Sequence, residues 1–265
     1  MNTIGFIGAG NMGSAIIGGM IASGNFDAKN INVCDKVISN TVAAYGVNTK
    51  SFEETCVDSD CIVLAVKPAG LGDVLKQIKT LKDYNKKLYI SIAAGYKLES
   101  VKNILGDVRA IRVMPNLCLK SGEGMTVICA GETCTKDDLA LADKIFSSCG
   151  KTAVVKESLI DACTAINGSG PAYVFMFMEA LADAAVNHGI DRETAYLLAG
   201  QTVLGSAKLM LDSKIHPGQL KDMVCSPGGT TIEAVASLEE TGFRNAVMSA
   251  VDACAKKADQ MSKIK

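Results

Sequence analysis

The sequence predicts an α/β fold: a doubly wound sheet over residues 1–158, followed by an all-α region over residues 159–265. Three observations carry that expectation. Short apolar, β-branched runs alternate with helical patterns through the first half, an order that builds a parallel sheet covered by helices on both faces. A glycine-rich turn, Gly8-Ala9-Gly10-Asn11-Met12-Gly13, joins the first such run to the first helical pattern. After Glu157 no segment has a strand pattern and the chain reads as consecutive helices.

Residues 3–7, 30–34, 61–65, 87–92, 109–114 and 125–130 read as strands, and 152–155 as a last strand closing the sheet. Between them, 12–23 and 71–81 repeat apolar residues at spacings of three and four, the period of a helix with one buried face. In the second half, 171–187, 191–211, 217–224, 231–238 and 242–262 are helical in pattern. Their start signals are Ser169 two residues before Pro171, Asp191 ahead of Arg192-Glu193, and Pro217 after His216. The run Ala180-Leu181-Ala182-Asp183-Ala184-Ala185 and its neighbouring faces are too apolar for a small helical domain to cover alone. A helix-mediated dimer is the expected outlet.

Composition narrows the function classes. The chain has 265 residues, 48% of them hydrophobic and 21% charged, with a formal net charge of −1. That balance gives no reason to expect a nucleic acid or a membrane surface as partner. The uncharged N-terminus lacks the basic segment of a signal peptide, and no other uncharged stretch is long and apolar enough to span a bilayer, so a cytoplasmic protein is expected. Ten scattered cysteines form no CxxC, and the only histidines are His188 and His216. They read as small buried hydrophobes in a reducing compartment, with no metal site.

The glycine turn has the form GxGxxG, with a strand before it and a helix after, which is the context of a Rossmann-type dinucleotide site. Gly8 makes the tight turn, Gly10 lets backbone approach a pyrophosphate, and Gly13 lets helix and strand pack closely. Asn11 and Met12 complete the loop, whose free N–H groups face the phosphates. Asp35 follows the second strand, where a carboxylate accepts hydrogen bonds from the adenosine ribose and so favours NADH. Lys36 offsets its charge, which leaves NADPH and NADH both open. Ala65-Val66-Lys67-Pro68 and Ala93-Ala94-Gly95 lie at the carboxyl ends of later strands, where small residues let a nicotinamide ring lie against the backbone. Asn116, in Met114-Pro115-Asn116, ends a strand near the same place and completes the cofactor candidates.

No serine or cysteine nucleophile with a histidine base can be assembled. His188 reads as a helix C-terminal residue and His216 as a cap. Hydride transfer from a nicotinamide needs orientation and charge placement more than a strong base.

GAGNMG at 8–13, LAVKP at 64–68, SIAAG at 91–95, RVMPN at 112–116, NGSGPAYVF at 167–175 and CSPGGTTIEA at 225–234 occur together and in order. In that set the chain resembles the pyrroline-5-carboxylate reductases over essentially its whole length. The resemblance implies reduction of L-1-pyrroline-5-carboxylate to L-proline by NAD(P)H, the last step of proline biosynthesis. It also implies helical domains that interlock into dimers or decamers, with one subunit giving the nicotinamide and the other much of the substrate pocket. Two positions depart from the pattern: Asn167 replaces a common Ser, and Phe52 replaces an Asn near the adenosine ribose.

The imine substrate carries a carboxylate. Gly228 and Gly229 leave consecutive backbone N–H groups unobstructed, Ser226 adds a hydroxyl, and a helix beginning at Thr230 or Thr231 presents its positive end. Ser226, Gly228, Gly229, Thr230 and Thr231 are therefore the expected substrate site. Thr231 is the expected catalytic residue, its hydroxyl orienting the ring nitrogen and relaying a proton. Two alternatives remain. A β-hydroxyacid dehydrogenase would need a lysine soon after Gly168-Ser169-Gly170-Pro171, and none occurs before Lys208. A non-catalytic dinucleotide sensor would have no use for an anion nest such as SPGGTT.

Overall fold

A computed structural model describes residues 3–263. The first half alternates as its pattern implies, in the order β1 (Ile4–Ile7), α1 (Asn11–Ala22), β2 (Ile31–Cys34), α2 (Asn40–Ala44), β3 (Asn48–Thr49), α3 (Phe52–Val57), β4 (Cys61–Leu64) and α4 (Pro68–Lys79). It continues through β5 (Leu88–Ser91), α5 (Leu98–Leu105), β6 (Arg109–Met114), β7 (Gly124–Ala130), α6 (Lys136–Ser147) and β8 (Gly150–Val154). The eight strands form one sheet in the order β3-β2-β1-β4-β5-β6-β7-β8. Strand β1 lies at the centre of the winding, with Ile4 opposite Ile31 on one side and Cys61 on the other.

Alternation along the central strands sends side chains into two cores. Phe6, Cys61 and Val63 join Ile16, Ile17 and Met20 of α1 and Ile145 and Phe146 of α6 on one face. Ile7, Ile62 and Leu64 join Leu71, Leu75 and Ile78 of α4 and Val101 and Leu105 of α5 on the other. Both faces are covered, so these strands are apolar at every position rather than at every second one.

One pairing departs from the expected parallel sheet: β6 and β7 are antiparallel. The chain between them, residues 115–123, holds only the 3₁₀ turn Leu117–Ser121, too short for the crossover that a parallel pair requires. The two-residue β3 carries no periodic signal and was not expected from the sequence.

The second half contains the short α7 (Ile160–Cys163), a π-turn at Thr164–Gly168, α8 (Gly170–Asn187), α9 (Arg192–Ser213), α10 (Pro217–Val224), α11 (Thr230–Glu240) and α12 (Phe243–Lys263). Asp191 caps α9 by accepting the Thr194 N–H at 3.0 Å. His216 caps α10 through Nδ1, which accepts the Gly218 N–H at 3.1 Å, with Pro217 in the first turn. Two compact units result: residues 3–169 with 254–263, and residues 170–253. The change from strands to helices lies near residue 158, but the segment 157–169 packs with the sheet. Arg112 on β6, 4% exposed, pairs with Asp161 at 2.8 Å and Glu157 at 3.4 Å. Glu157 in turn accepts the Leu98 N–H at the start of α5 at 2.7 Å.

The helical unit buries little within itself. Its core is Ala182, Ala195 and Ala199, flanked by Met178, Ala185, Val186 and Ile190. Met176, Leu197, Leu211, Met223 and Val224 are each at least 66% exposed in the single chain. An apolar surface of that extent marks an interface. All ten cysteines are free, and burial, helped by nearby Cys34, pushes the Cys56 thiol up to about 12. Among the described residues no helix is long and apolar enough to cross a membrane, and no group of His, Cys, Asp or Glu could hold a metal ion.

Removing Asp161 would leave the buried Arg112 guanidinium half paired. Asp161→Ala is expected to lower unfolding free energy by about 3 kcal/mol, measured by urea titration. A loss below about 0.5 kcal/mol, the range of an ordinary surface change, would contradict this account of the Arg112 ion pairs.

Candidate functional site

The glycine turn leaves β1 at the carboxyl edge of the sheet. Gly8 has φ 102°, and a Cβ there would lie 2.6 Å from the carbonyl oxygen of Ala65 at the end of β4. A Cβ on Gly13 would lie 2.5 Å from the Gly8 carbonyl oxygen. Packing therefore demands glycine at both positions. Gly10 differs: no atom lies within 4 Å of where its Cβ would be. It is the N-cap of α1 and leaves the first helical N–H groups without a side-chain cap. A bare helix start above open space is what an anionic pyrophosphate requires.

Asp35 follows β2 and is tied to this loop. Its Oδ2 accepts the Ala9 N–H at 2.5 Å, and its Oδ1 accepts the Val37 N–H at 3.3 Å. The carboxylate thus holds the glycine turn in shape, and keeps acceptor capacity for a ligand hydroxyl. Lys36 beside it is exposed. A groove of about 890 Å³ runs from Ala9, Gly10, Asn11 and Ser14 past Val37 and Ser39. Its other wall is Leu119-Lys120-Ser121-Gly122, a turn that sequence motifs did not single out. Met12 packs into the core rather than lining the groove.

Ala65 and Val66 lead from β4 to Lys67, the exposed N-cap of α4, with Pro68 in its first turn. Ala93, Ala94 and Gly95 follow β5; Ala93 is buried and its carbonyl accepts the Tyr96 N–H at 3.3 Å. The carboxyl edges of β1, β4 and β5 thus bring together the predicted cofactor residues. Asn116 is buried, and its amide is engaged with protein on both sides. Its Nδ2 donates to the Asn167 carbonyl at 3.0 Å and its Oδ1 accepts the Met125 N–H at 3.2 Å. A second cavity, of about 730 Å³ against α5, β6, β7 and β8, contains none of these residues.

In the helical unit, α10 ends at Val224 and α11 begins at Thr230. Gly228 takes the left-handed conformation, φ 64°, and Gly229 is the N-cap. The Gly229 N–H donates to the Ser226 carbonyl at 3.0 Å, and a Cβ on Gly229 would collide with Ser226 Oγ. Two threonines follow, yet neither caps the helix, and no side chain accepts from its first turn. A glycine N-cap leaves the first helical N–H groups open to an anion. Ser226 and Thr230 are exposed and Thr231 is half-buried.

Comparison with known proteins places both halves. Residues 3–95 match the family model for NADP oxidoreductase, coenzyme F420-dependent, and residues 157–261 match the model for pyrroline-5-carboxylate reductase dimerisation. The pyrroline-5-carboxylate reductase of Escherichia coli (strain K12) is 46% identical over 266 residues, covering 98% of each chain. The chain belongs to the pyrroline-5-carboxylate reductase family. Solved structures of family members agree in fold. That from Coxiella burnetii superposes with a TM-score of 0.93 at 36% identity, and the Plasmodium falciparum pyrroline carboxylate reductase with NADP bound at 0.89 and 37%; each covers 98% of both chains.

Within this family fold, Gly13→Ala is expected to lower stability by about 2–3 kcal/mol through backbone overpacking. Gly10→Ala should change it by less than about 0.5 kcal/mol while weakening dinucleotide binding about tenfold. Thermal unfolding and NADPH fluorescence titration measure the two effects. A Gly10→Ala variant with unaltered affinity would show that the helix start does not meet the pyrophosphate.

Proposed function

We propose that this chain reduces L-1-pyrroline-5-carboxylate to L-proline by hydride transfer from NAD(P)H. The observation that carries the reading is the bare, glycine-capped start of α11, a second anion-ready helix N-terminus in a chain that already has one for a dinucleotide. The full-length similarity to reductases of this substrate supports it.

Bound NAD(P)H supplies the hydride. The residues of the chain place and polarise. Gly10 and Asn11 would hold the pyrophosphate at the start of α1, with Gly8 and Gly13 keeping that turn tight, and Asp35 and Lys36 would meet the adenosine ribose. Ala65, Val66, Lys67 and Pro68 with Ala93, Ala94 and Gly95 form the floor for the nicotinamide ring. Gly228 and Thr230 offer backbone N–H groups to the substrate carboxylate; Gly229, whose own N–H is held by the Ser226 carbonyl, keeps the approach clear of a side chain, and Ser226 adds its hydroxyl. That grip orients the ring so that the Thr231 hydroxyl reaches its nitrogen. There it holds the proton that makes the C=N bond an iminium, the better hydride acceptor.

The exposed apolar faces of α8, α9 and α10 are the surfaces through which chains pair, as dimers and in decamers. The match to a dimerisation family supports this. Ten free thiols suit a reducing cytoplasm. A β-hydroxyacid dehydrogenase gains no support, because Lys208, the first lysine after Pro171, forms an exposed ion pair with Asp212 at 2.8 Å.

Thr231→Ala is expected to reduce kcat/KM for pyrroline-5-carboxylate about a hundredfold, with NADPH affinity unchanged and Thr231→Ser retaining most activity. Steady-state rates from nicotinamide absorbance measure it. Unchanged kinetics in Thr231→Ala would remove the hydroxyl from the mechanism.

A further inference from the structure

The π-turn Thr164–Gly168 carries a buried amide that the reaction does not use. Asn167 is 9% exposed. Its Nδ2 donates to the Met114 carbonyl at 2.8 Å and to the Met125 carbonyl at 3.1 Å. Both neighbours on that side are acceptors, so the amide has one orientation only. Its Oδ1 is fully buried and meets no protein donor. The Asn167 backbone carbonyl in turn receives the Asn116 amide. Two asparagines, 51 residues apart, thus stitch the end of β6, the start of β7 and the π-turn into one clasp.

π-turns concentrate at functional sites, and this one reaches the groove beside the glycine loop through Asn116. Asn116 is the N-cap of the 3₁₀ turn Leu117–Ser121. That turn supplies the wall of the groove opposite the glycine loop, and Leu119 anchors it in the core beside α1. Fixing Asn116 therefore fixes the distance between the groove's two walls.

We propose that Asn167 is a positioning residue for the dinucleotide: through Asn116 it sets the Leu117–Ser121 wall of the cofactor groove. An amide can do this where a serine hydroxyl, with a single donor, would hold only one of the two carbonyls. The inference rests on the reductase reading for its ligand but not for its test. Asn167 acts through the groove wall and touches neither reacting partner, so its effect falls on cofactor affinity, not on the imine step.

The experiment is NADPH fluorescence titration of the full chain and of two variants, with unfolding midpoints measured alongside. Asn167→Asp turns an oxygen toward the two carbonyls. It is expected to weaken NADPH binding about tenfold at neutral pH, the effect of losing the preorganisation of both hydrogen bonds. Affinity should recover as the pH is lowered, because a protonated Asp regains one donor. Asn167→Ser should weaken binding about threefold, with the KM for pyrroline-5-carboxylate unchanged. Wild-type NADPH affinity in folded Asn167→Ser overturns the proposal, whether or not Asn167→Asp folds. So does an affinity loss in Asn167→Asp that does not respond to pH. A wild-type chain that binds NADPH but leaves the imine unreduced would instead refute the reductase reading and leave the clasp standing.

Discussion

The close approach of the Gly8 turn to the end of β4 is the constraint on which the rest is built. β1 must end, reverse against the backbone of Ala65 and start a helix within a few residues, and there is no room for a side chain at Gly8 or Gly13. That contact sets α1 across the sheet, so Ile16, Ile17 and Met20 enter one core while α4, the crossover after β4, closes the other. It also leaves the start of α1 open at the carboxyl edge, where the later strand ends converge. Asp35 adds an electrostatic tie, its carboxylate holding the Ala9 N–H. The site is therefore a consequence of how tightly β1, α1 and the end of β4 pack.

The helical unit repeats the device with a different scaffold. Between α10 and α11 the chain turns through a left-handed glycine and starts again on a second one, leaving another helix N-terminus with no side chain across it. One such end suits a pyrophosphate and the other a carboxylate, since both ligands are anions that backbone N–H groups can hold without a formal charge. The same unit buries only alanines at its centre and exposes leucines, methionines and the phenylalanines Phe175, Phe177 and Phe243. Its apolar surface needs a partner, so the substrate site proposed in this unit would depend on association of chains.

Much of this was legible in the sequence because it is local. Strand and helix periods, Pro217 in a first turn, Asp191 as a cap and the GxGxxG turn all act within a few residues of themselves. The antiparallel β6–β7 pair was not legible from periodicity, which reports which faces are buried but not strand direction. The Leu117–Ser121 groove wall has no motif of its own and becomes part of the site only through folding. Asn167 was visible as a departure from the family pattern, but its partners Met114, Asn116 and Met125 lie 42 to 53 residues away. Long-range hydrogen bonds leave no period in the chain, so their meaning had to come from coordinates.

The central claim is a hydride delivered to the imine carbon of a carboxylate-bearing ring. Its most direct measurement is mass spectrometry of the product formed from NADPH deuterated at the transferable position and L-1-pyrroline-5-carboxylate. The account predicts L-proline carrying a single deuterium on the former imine carbon. Absence of proline, or proline without the label, would contradict it.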